Sequence, residues 1–276
     1  MQGKKFISPQ SWFSLIYPSF WSEFEDREGS FLFYNPEKWT GNFRISAYRK
    51  NLKAVDAIRF AEEELEYELK QNKESERVKI GLYHGIYYNQ SNKEEGVFYT
   101  THHWLFGEKN TMIECSFTVP QGVGYEEAMP LLESVEIRSE NKTYPSELIP
   151  IRLAEIYLIN EEYENVSQLI KTTLSKDFQG IEEDLDKLQE VIDLEVIGGK
   201  KRRDWFAVGV VLCVILTNEV EGFEWKTLID GNRETPILYY TNSSLEIDPL
   251  KAAWSFIEKN NRCDVKDIYK ELLGSL

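Results

Sequence analysis

Three histidines, His84, His102 and His103, and three cysteines, Cys115, Cys213 and Cys263, are the side chains of this chain best suited to bind a metal or to act as a nucleophile and its base. The histidines fall in a stretch of alternating β-branched and aromatic residues that predicts three antiparallel strands, 79–89, 96–106 and 110–118. With a two-residue turn at Glu108-Lys109, paired positions sum to about 217 and Cys115 stands opposite His102. A polar turn at Ser91-Asn92-Lys93 sets His84 opposite or diagonal to Thr101 or His102. His84, His102 and Cys115 then form a row of ligands of the type zinc prefers, with Glu114 nearby and a fourth position open. The same residues are the chain's one candidate Cys–His dyad. A one-residue slip of register would turn these side chains to other faces. The simpler reading places His84 on the Ile80-Leu82-Ile86 face and Cys115 beside Ile113 and Phe117, as core. Structural zinc sites announce themselves by close ligand pairs, and the adjacent His102-His103 point to opposite faces of a strand.

Other chemistry finds little support. The chain has no G-x-S-x-G elbow, P-loop, G-x-G-x-x-G after a strand or H-E-x-x-H, so no catalytic or cofactor-binding residue is assigned and no cofactor is expected. Glu62 to Glu68 reads as the solvated side of a helix, and Glu182-Glu183-Asp184 as an acidic first turn favoured by the helix dipole. Lys200 to Arg203 is a basic run among acidic segments; local charge balance explains it better than a dock for an acidic partner or a phosphate. Aromatic residues crowd the first forty positions. Strand alternation puts some of them on each face, and Trp12, Tyr17, Trp21, Phe33 and Trp39 are the expected anchors of a partner surface.

The elements that would position these residues divide the chain of 276 residues in two. Strands at 12–17, 31–35 and 42–49, a helix at 54–70, the meander above and a closing helix at 125–135 make a first domain over residues 1–140. A polar stretch, Ser139 to Tyr144, is the expected linker. A second domain, 145–276, has helices at 146–158, 162–174, 181–194 and 204–216, two strands near 223–229 and 236–241, and a final helical pair opened by Asp248-Pro249 and Asp264. The fold class is α+β in both: an antiparallel sheet flanked by helices, then a mostly helical domain with a short hairpin. A formal net charge of −15 repels phosphate backbones and anionic membrane faces, so nucleic acid and membranes are not expected partners. The apolar run Trp205 to Leu216 is too short to span a bilayer. The N-terminus lacks a signal-peptide pattern, and three scattered cysteines without a CxxC pair suit reduced thiols, so a cytoplasmic location is expected.

The order FISPQSWFSLIYPSFW at 6–21, then FLFYN and GNFRISAYR, resembles the PsbP-like fold, shared by the extrinsic photosystem II subunit, the Mog-type Ran release factor and bacterial adaptor and chaperone domains. That resemblance implies an antiparallel sheet flanked by helices and a binding role, and carries over no functional residue, because no matching Ran-binding or metal-binding signature is present. DWFAVGVVLCVILTN, FEWKTLIDG and IDPLKAAWSFIEK resemble small uncharacterised bacterial domains. The resulting expectation is an adaptor or chaperone-like module that binds another protein. A metal-binding protein or enzyme built on the His/Cys row, and a small-ligand sensor with a pocket between the domains, are the alternatives.

Overall fold

In the N-terminal half, alternating apolar and polar residues form strands whose one face is aromatic. The computed structural model describes residues 3–27, 29–51, 57–140, 142–199, 201–231, 233–260 and 263–276. The chain divides into two compact units, Met1–Pro145 and Ser146–Leu276.

The first unit contains β1 (Gly3–Ile7), β2 (Phe13–Pro18), β3 (Ser22–Arg27), β4 (Ser30–Tyr34), β5 (Asn42–Arg49), α1 (Phe60–Gln71), β6 (Glu76–Ile80), β7 (Tyr83–Glu94), β8 (Val97–Glu108), β9 (Thr111–Pro120), α2 (Met129–Ser134) and β10 (Glu136–Ile137). Seven strands form an antiparallel sheet in the order β3-β4-β5-β9-β8-β7-β6. A smaller sheet, β1-β2-β10, contributes to the same core. Phe6 lies 4.9 Å from Phe31 and 5.2 Å from Phe33, and Phe33 is 5.0 Å from Tyr17, ring centroid to centroid. Such pairs each add about 0.5–1.5 kcal/mol beyond the area they bury. Burial, with a smaller push from Glu23, raises the Tyr17 phenol to about 12. On the opposite sheet face Phe60, Ala61 and Leu65 of α1 pack on Met112 and Leu105.

The meander differs from its expected register. The expected strand 79–89 is broken at Gly81 (φ +55) into β6 and β7. Ser91, Asn92 and Lys93 have turn-type chemistry, yet they pair with Thr100, Tyr99 and Phe98, and the reversal comes at Glu95-Gly96, both left-handed (φ 48 and 89). The second turn is Lys109-Asn110, one residue later than expected, with Glu108 paired to Thr111. The predicted helix start at 54–56 lies outside the described residues.

The second unit contains β11 (Glu147–Pro150), α3 (Leu153–Leu174), α4 (Leu185–Asp193), α5 (Arg202–Glu219), β12 (Phe223–Asp230), β13 (Arg233–Tyr240), β14 (Leu245–Ile247), α6 (Pro249–Asn260) and α7 (Val265–Gly274). The two helices expected at 146–158 and 162–174 are one, because nothing between them breaks the apolar stripe Ile159, Val166, Ile170. The predicted hairpin is the centre of a four-stranded sheet, β11-β12-β13-β14. Buried α5 occupies the middle of this unit's core. No helix among the described residues is long and apolar enough to cross a membrane.

Candidate functional site

A concavity of the first unit with charged and aromatic side chains on its walls lies beside β5. It begins with a length mismatch: β4 pairs with β5 only as far as Ser30↔Ser46, whereas β9 accompanies β5 through Arg49. Among the described residues Ala47, Tyr48 and Arg49 thus have a strand on one side only. Next to this open end is a cleft of about 990 Å³, walled by the Ser8–Phe13 turn, the β3–β4 turn and the outer ends of β5 and β9. This volume is in the range of natural ligand clefts, about 300–1,000 Å³.

The Ser8–Phe13 turn is tied to itself. Gln10 (φ 63) and Ser11 (φ 54) are both left-handed, a conformation that disfavours side chains. Ser8 over-determines it: its Oγ accepts the N–H of Trp12 (3.0 Å) and Phe13 (3.1 Å), and its carbonyl accepts the N–H of Ser11 (2.9 Å). Trp12 is thereby held under the Arg49 guanidinium, 5.4 Å from the ring centroid. Arg49 is fully engaged. Its Nε donates to Thr111 Oγ1 (2.9 Å), Nη2 to the Arg138 carbonyl (2.6 Å) and Nη1 to Glu140 (3.3 Å). Burial lowers its pKa, while Glu140 opposes that effect. Arg44 Nη1 approaches Ser30 Oγ at 3.4 Å.

The carboxylates are less satisfied. Glu114, half-buried on β9, meets only the Tyr48 hydroxyl at 3.5 Å, and among the described residues it has no ion-pair partner. Glu25 accepts the Gly29 N–H at 3.3 Å. The cleft walls thus carry two arginines, Arg44 and Arg49, and two carboxylates, of which Glu114 makes no ion pair among the described residues.

The structure does not assemble the predicted metal row. Cys115 stands opposite Trp104, and His102 opposite Phe117, on the core face of the sheet. Because Gly85 pairs with Phe106 on that face, the preceding His84 turns to the other face, where it pairs with Lys79 and is exposed. Among the described residues no cluster of His, Cys, Asp and Glu could hold a metal ion. Cys115 is fully buried and its thiol pKa is raised well above the ordinary value, chiefly by desolvation and secondarily by Glu114, the reverse of an activated nucleophile.

His102 instead sits in an aromatic enclosure that the sequence reading did not assemble. Its Nδ1 lies 2.8 Å from Tyr87 Oη, and Asn89 Nδ2 donates to that same hydroxyl at 3.3 Å. Tyr125 is 4.8 Å from the imidazole and 5.5 Å from Trp104, centroid to centroid. With Asn89 on its acceptor side, the Tyr87 hydroxyl donates to Nδ1 and the proton of neutral His102 rests on Nε2, which has no partner. Burial, reinforced by His103 and opposed by Glu126, lowers the His102 pKa. The enclosure is filled by its own rings.

Of the five predicted partner anchors, Tyr17, Trp21 and Phe33 are core residues, 6%, 3% and 0% exposed, and cannot meet a partner. Tyr17 stands on β2 and packs against Phe33 of the seven-stranded sheet in one shared core, a layering the sequence reading lacked because β1 was not recognised. Trp12 is half-buried in the cleft wall, and Trp39 is exposed, its Nε1 held by Asn42 Oδ1 at 2.9 Å. In the basic run, Arg203 is neutralised locally by Glu162 (3.0 Å) and Glu161 (3.3 Å), and Arg202 lies over the Trp254 ring; Lys200 is outside the described residues. A second groove, between α1 and the β6–β7 turn, has balanced charges on its walls.

An α+β chain of two units, with helix-flanked antiparallel sheet in the first, is the class that this fold defines. The chain belongs to the family described as Domain of unknown function (DUF3805), which matches residues 1–160; residues 184–269 match Domain of unknown function (DUF3806). A crystal structure from Bacteroides thetaiotaomicron VPI-5482 is similar over 100% of both chains, with 51% identity and a TM-score of 0.93. Slighter likenesses are to cyanobacterial PsbP from Synechocystis sp. PCC 6803 (8% identity, 49% of this chain and 92% of that one, TM-score 0.28) and to LpqN of Mycobacterium tuberculosis, described as involved in cell envelope biogenesis (12% identity, 50% and 87%, TM-score 0.31). No curated protein matches the chain.

Proposed function

We propose that this chain is a cytoplasmic protein-binding module whose first unit receives its partner in the cleft beside β5. The observation that carries the reading is the cleft itself: about 990 Å³, open to solvent, with Trp12 and Tyr48 as aromatic walls and a Glu114 that makes no ion pair among the described residues. Aromatic anchors beside a few fixed polar groups are the usual make-up of a recognition site. No nucleophile–base pair lines the cleft, so recognition suits it better than turnover. The test is site-specific photo-cross-linking in the cells that make the protein. A benzophenone side chain is placed at Tyr48, 54% exposed in the cleft, or at Tyr157, 61% exposed in the second unit, as control. The reading expects a discrete protein adduct from position 48 that position 157 does not give. Equal adducts from both positions, or none from 48, would overturn it.

A further inference from the structure

The open end of β5 also specifies the shape of what enters the cleft. In an antiparallel ladder the backbone N–H and C=O of successive residues point alternately to the two neighbouring strands. Lys50 donates its N–H to the Asn110 carbonyl, on the β9 side, and the β5–β9 register is continuous from Asn42 to Arg49. Tyr48 therefore also faces β9, and the N–H and C=O groups of Ala47 and Arg49 point the other way, into the space that β4 vacates after Ser30. Among the described residues no strand pairs with them there. Backbone groups of this kind are strong donors and acceptors, and an extended segment laid along them supplies matching partners.

The outer edges of the same sheet are treated differently. β3 (SEFEDR) and β6 (ERVKI) carry charged residues along their length, the common device that discourages strand addition. The open end of β5 has Ala47 at its centre, and its one charged residue, Arg49, has its side chain tied to Thr111, Glu140 and the Arg138 carbonyl. Charge then narrows the occupant. Arg49 is tied to Thr111, Glu140 and the Arg138 carbonyl and Arg44 approaches Ser30, whereas Glu114 makes no ion pair among the described residues, on a chain of net charge −15.

We infer that the cleft binds an extended, lysine- or arginine-bearing polypeptide segment, which adds as a short strand to β5 at Ala47–Arg49 and places a basic side chain against Glu114. This rests on the cleft being the recognition site. The geometry asks for only about three residues of added strand, because the β3–β4 turn ends the gap. Affinity for so short a pairing comes from the main chain, and preference among segments from the side chains beside Tyr48, Trp12 and Glu114.

The full chain is used to select from a phage-displayed library of random heptapeptides, and recovered sequences are synthesised with blocked ends. Binding is measured to wild type and to Ala47→Pro, Glu114→Gln and Tyr48→Ala. Ala47→Pro deletes an N–H that faces the gap and leaves the β9 ladder its bonds, so its thermal midpoint should stay near wild type. Hydrogen exchange on wild-type protein gives a readout that needs no variant: bound peptide should protect the Ala47 and Arg49 amides. The expected result is a library enriched in lysine and arginine, with affinity falling about tenfold in Ala47→Pro and several-fold in Glu114→Gln. Peptides that lose binding in Tyr48→Ala but bind Ala47→Pro normally and protect neither amide would overturn strand addition while leaving the cleft as the recognition site. Peptides indifferent to all three variants would overturn both. Enrichment in acidic sequences would overturn the charge assignment.

Discussion

Gly209 lies in the middle of α5, where helix propensity alone favours alanine by about 1 kcal/mol. Packing points the other way. A Cβ at 209 would overlap the carbonyl of Pro249, the first residue of α6, and would stand 2.5 Å from its carbon and 3.0 Å from its Cα. The obstacle is backbone, so no rotamer change relieves it; the helices must separate by roughly 1 Å to restore carbon–carbon distances of about 3.5 Å. Around the contact Val208, Val210, Leu212, Cys213 and Ala253 are fully buried, so separation also opens space at about 24 cal/mol per Å³. Overpacking of this kind costs about 1–3 kcal/mol and sometimes more. Set against the propensity gain, Gly209→Ala should destabilise the second unit by up to about 2 kcal/mol. Urea unfolding followed at 222 nm, where α3 to α7 dominate the signal, measures it. A midpoint equal to or above wild type, with an unchanged slope, would refute the claim that backbone contact between α5 and α6 is what requires glycine.

The first unit offers a hydrogen-bond test: Tyr83 Oη accepts the Ile137 N–H at 2.8 Å, so Tyr83→Phe should cost about 1–2 kcal/mol, read as a lower urea midpoint. Burial is the leading cause that holds both His102 and His103 below the ordinary histidine value, so the unfolded chain takes up protons first as the pH falls. Stability should be level from these groups above about pH 6.5 and decline below it. Comparing wild type with His102→Gln from pH 7.5 to 5.0 isolates the His102 share, and a stability difference that stays constant across that range would contradict it. All three thiols are buried; desolvation raises Cys115 and Cys213 and pushes Cys263 to about 12, so a disulfide reagent at pH 8 should label none in the native protein and all three in denaturant. Rapid labelling of Cys263 without denaturant would show that its end of the second unit opens locally.

Much of the architecture was legible because it rests on periodicity. Strands 42–49 and 31–35, the meander and the apolar α5 all announce themselves in residue order. What was missed depends on pairing between distant segments. GKKFI has too few apolar residues to read as a strand, yet β1 lies beside β2 with Phe6 opposite Leu15. Ser91-Asn92-Lys93 has turn composition, and the ladder with β8 overrides it. The His/Cys row failed for the same reason: shifting the β7–β8 turn to Glu95-Gly96 moved His84 to the opposite face, a parity that local chemistry does not determine. Alternation alone grouped Tyr17, Trp21 and Phe33 as surface anchors, since it separates two faces without saying which one a second layer covers. The cleft was invisible in sequence because it arises from a mismatch in strand lengths. Its one local signal is SPQSW, where a serine precedes two residues forced into left-handed turns.

That local signal bears on function through its energetics. Two consecutive left-handed residues other than glycine cost roughly 1–3 kcal/mol each, and a glycine at either position would remove the strain without altering the core. The strain persists because Ser8 anchors the turn through Trp12, Phe13 and Ser11, and because Arg49 fixes Trp12 from the other side. Arg49 itself is a charge largely withdrawn from water, stabilised by converging acceptors from Thr111, Arg138 and Glu140 and by the Trp12 ring. Both devices fix the Trp12 wall of the cleft beside the end of β5 where, among the described residues, no strand pairs with the Ala47 and Arg49 backbone groups. A rigid gap lowers the ordering cost of binding, and a segment as short as three residues has little binding free energy to offset that cost if the site must first be organised.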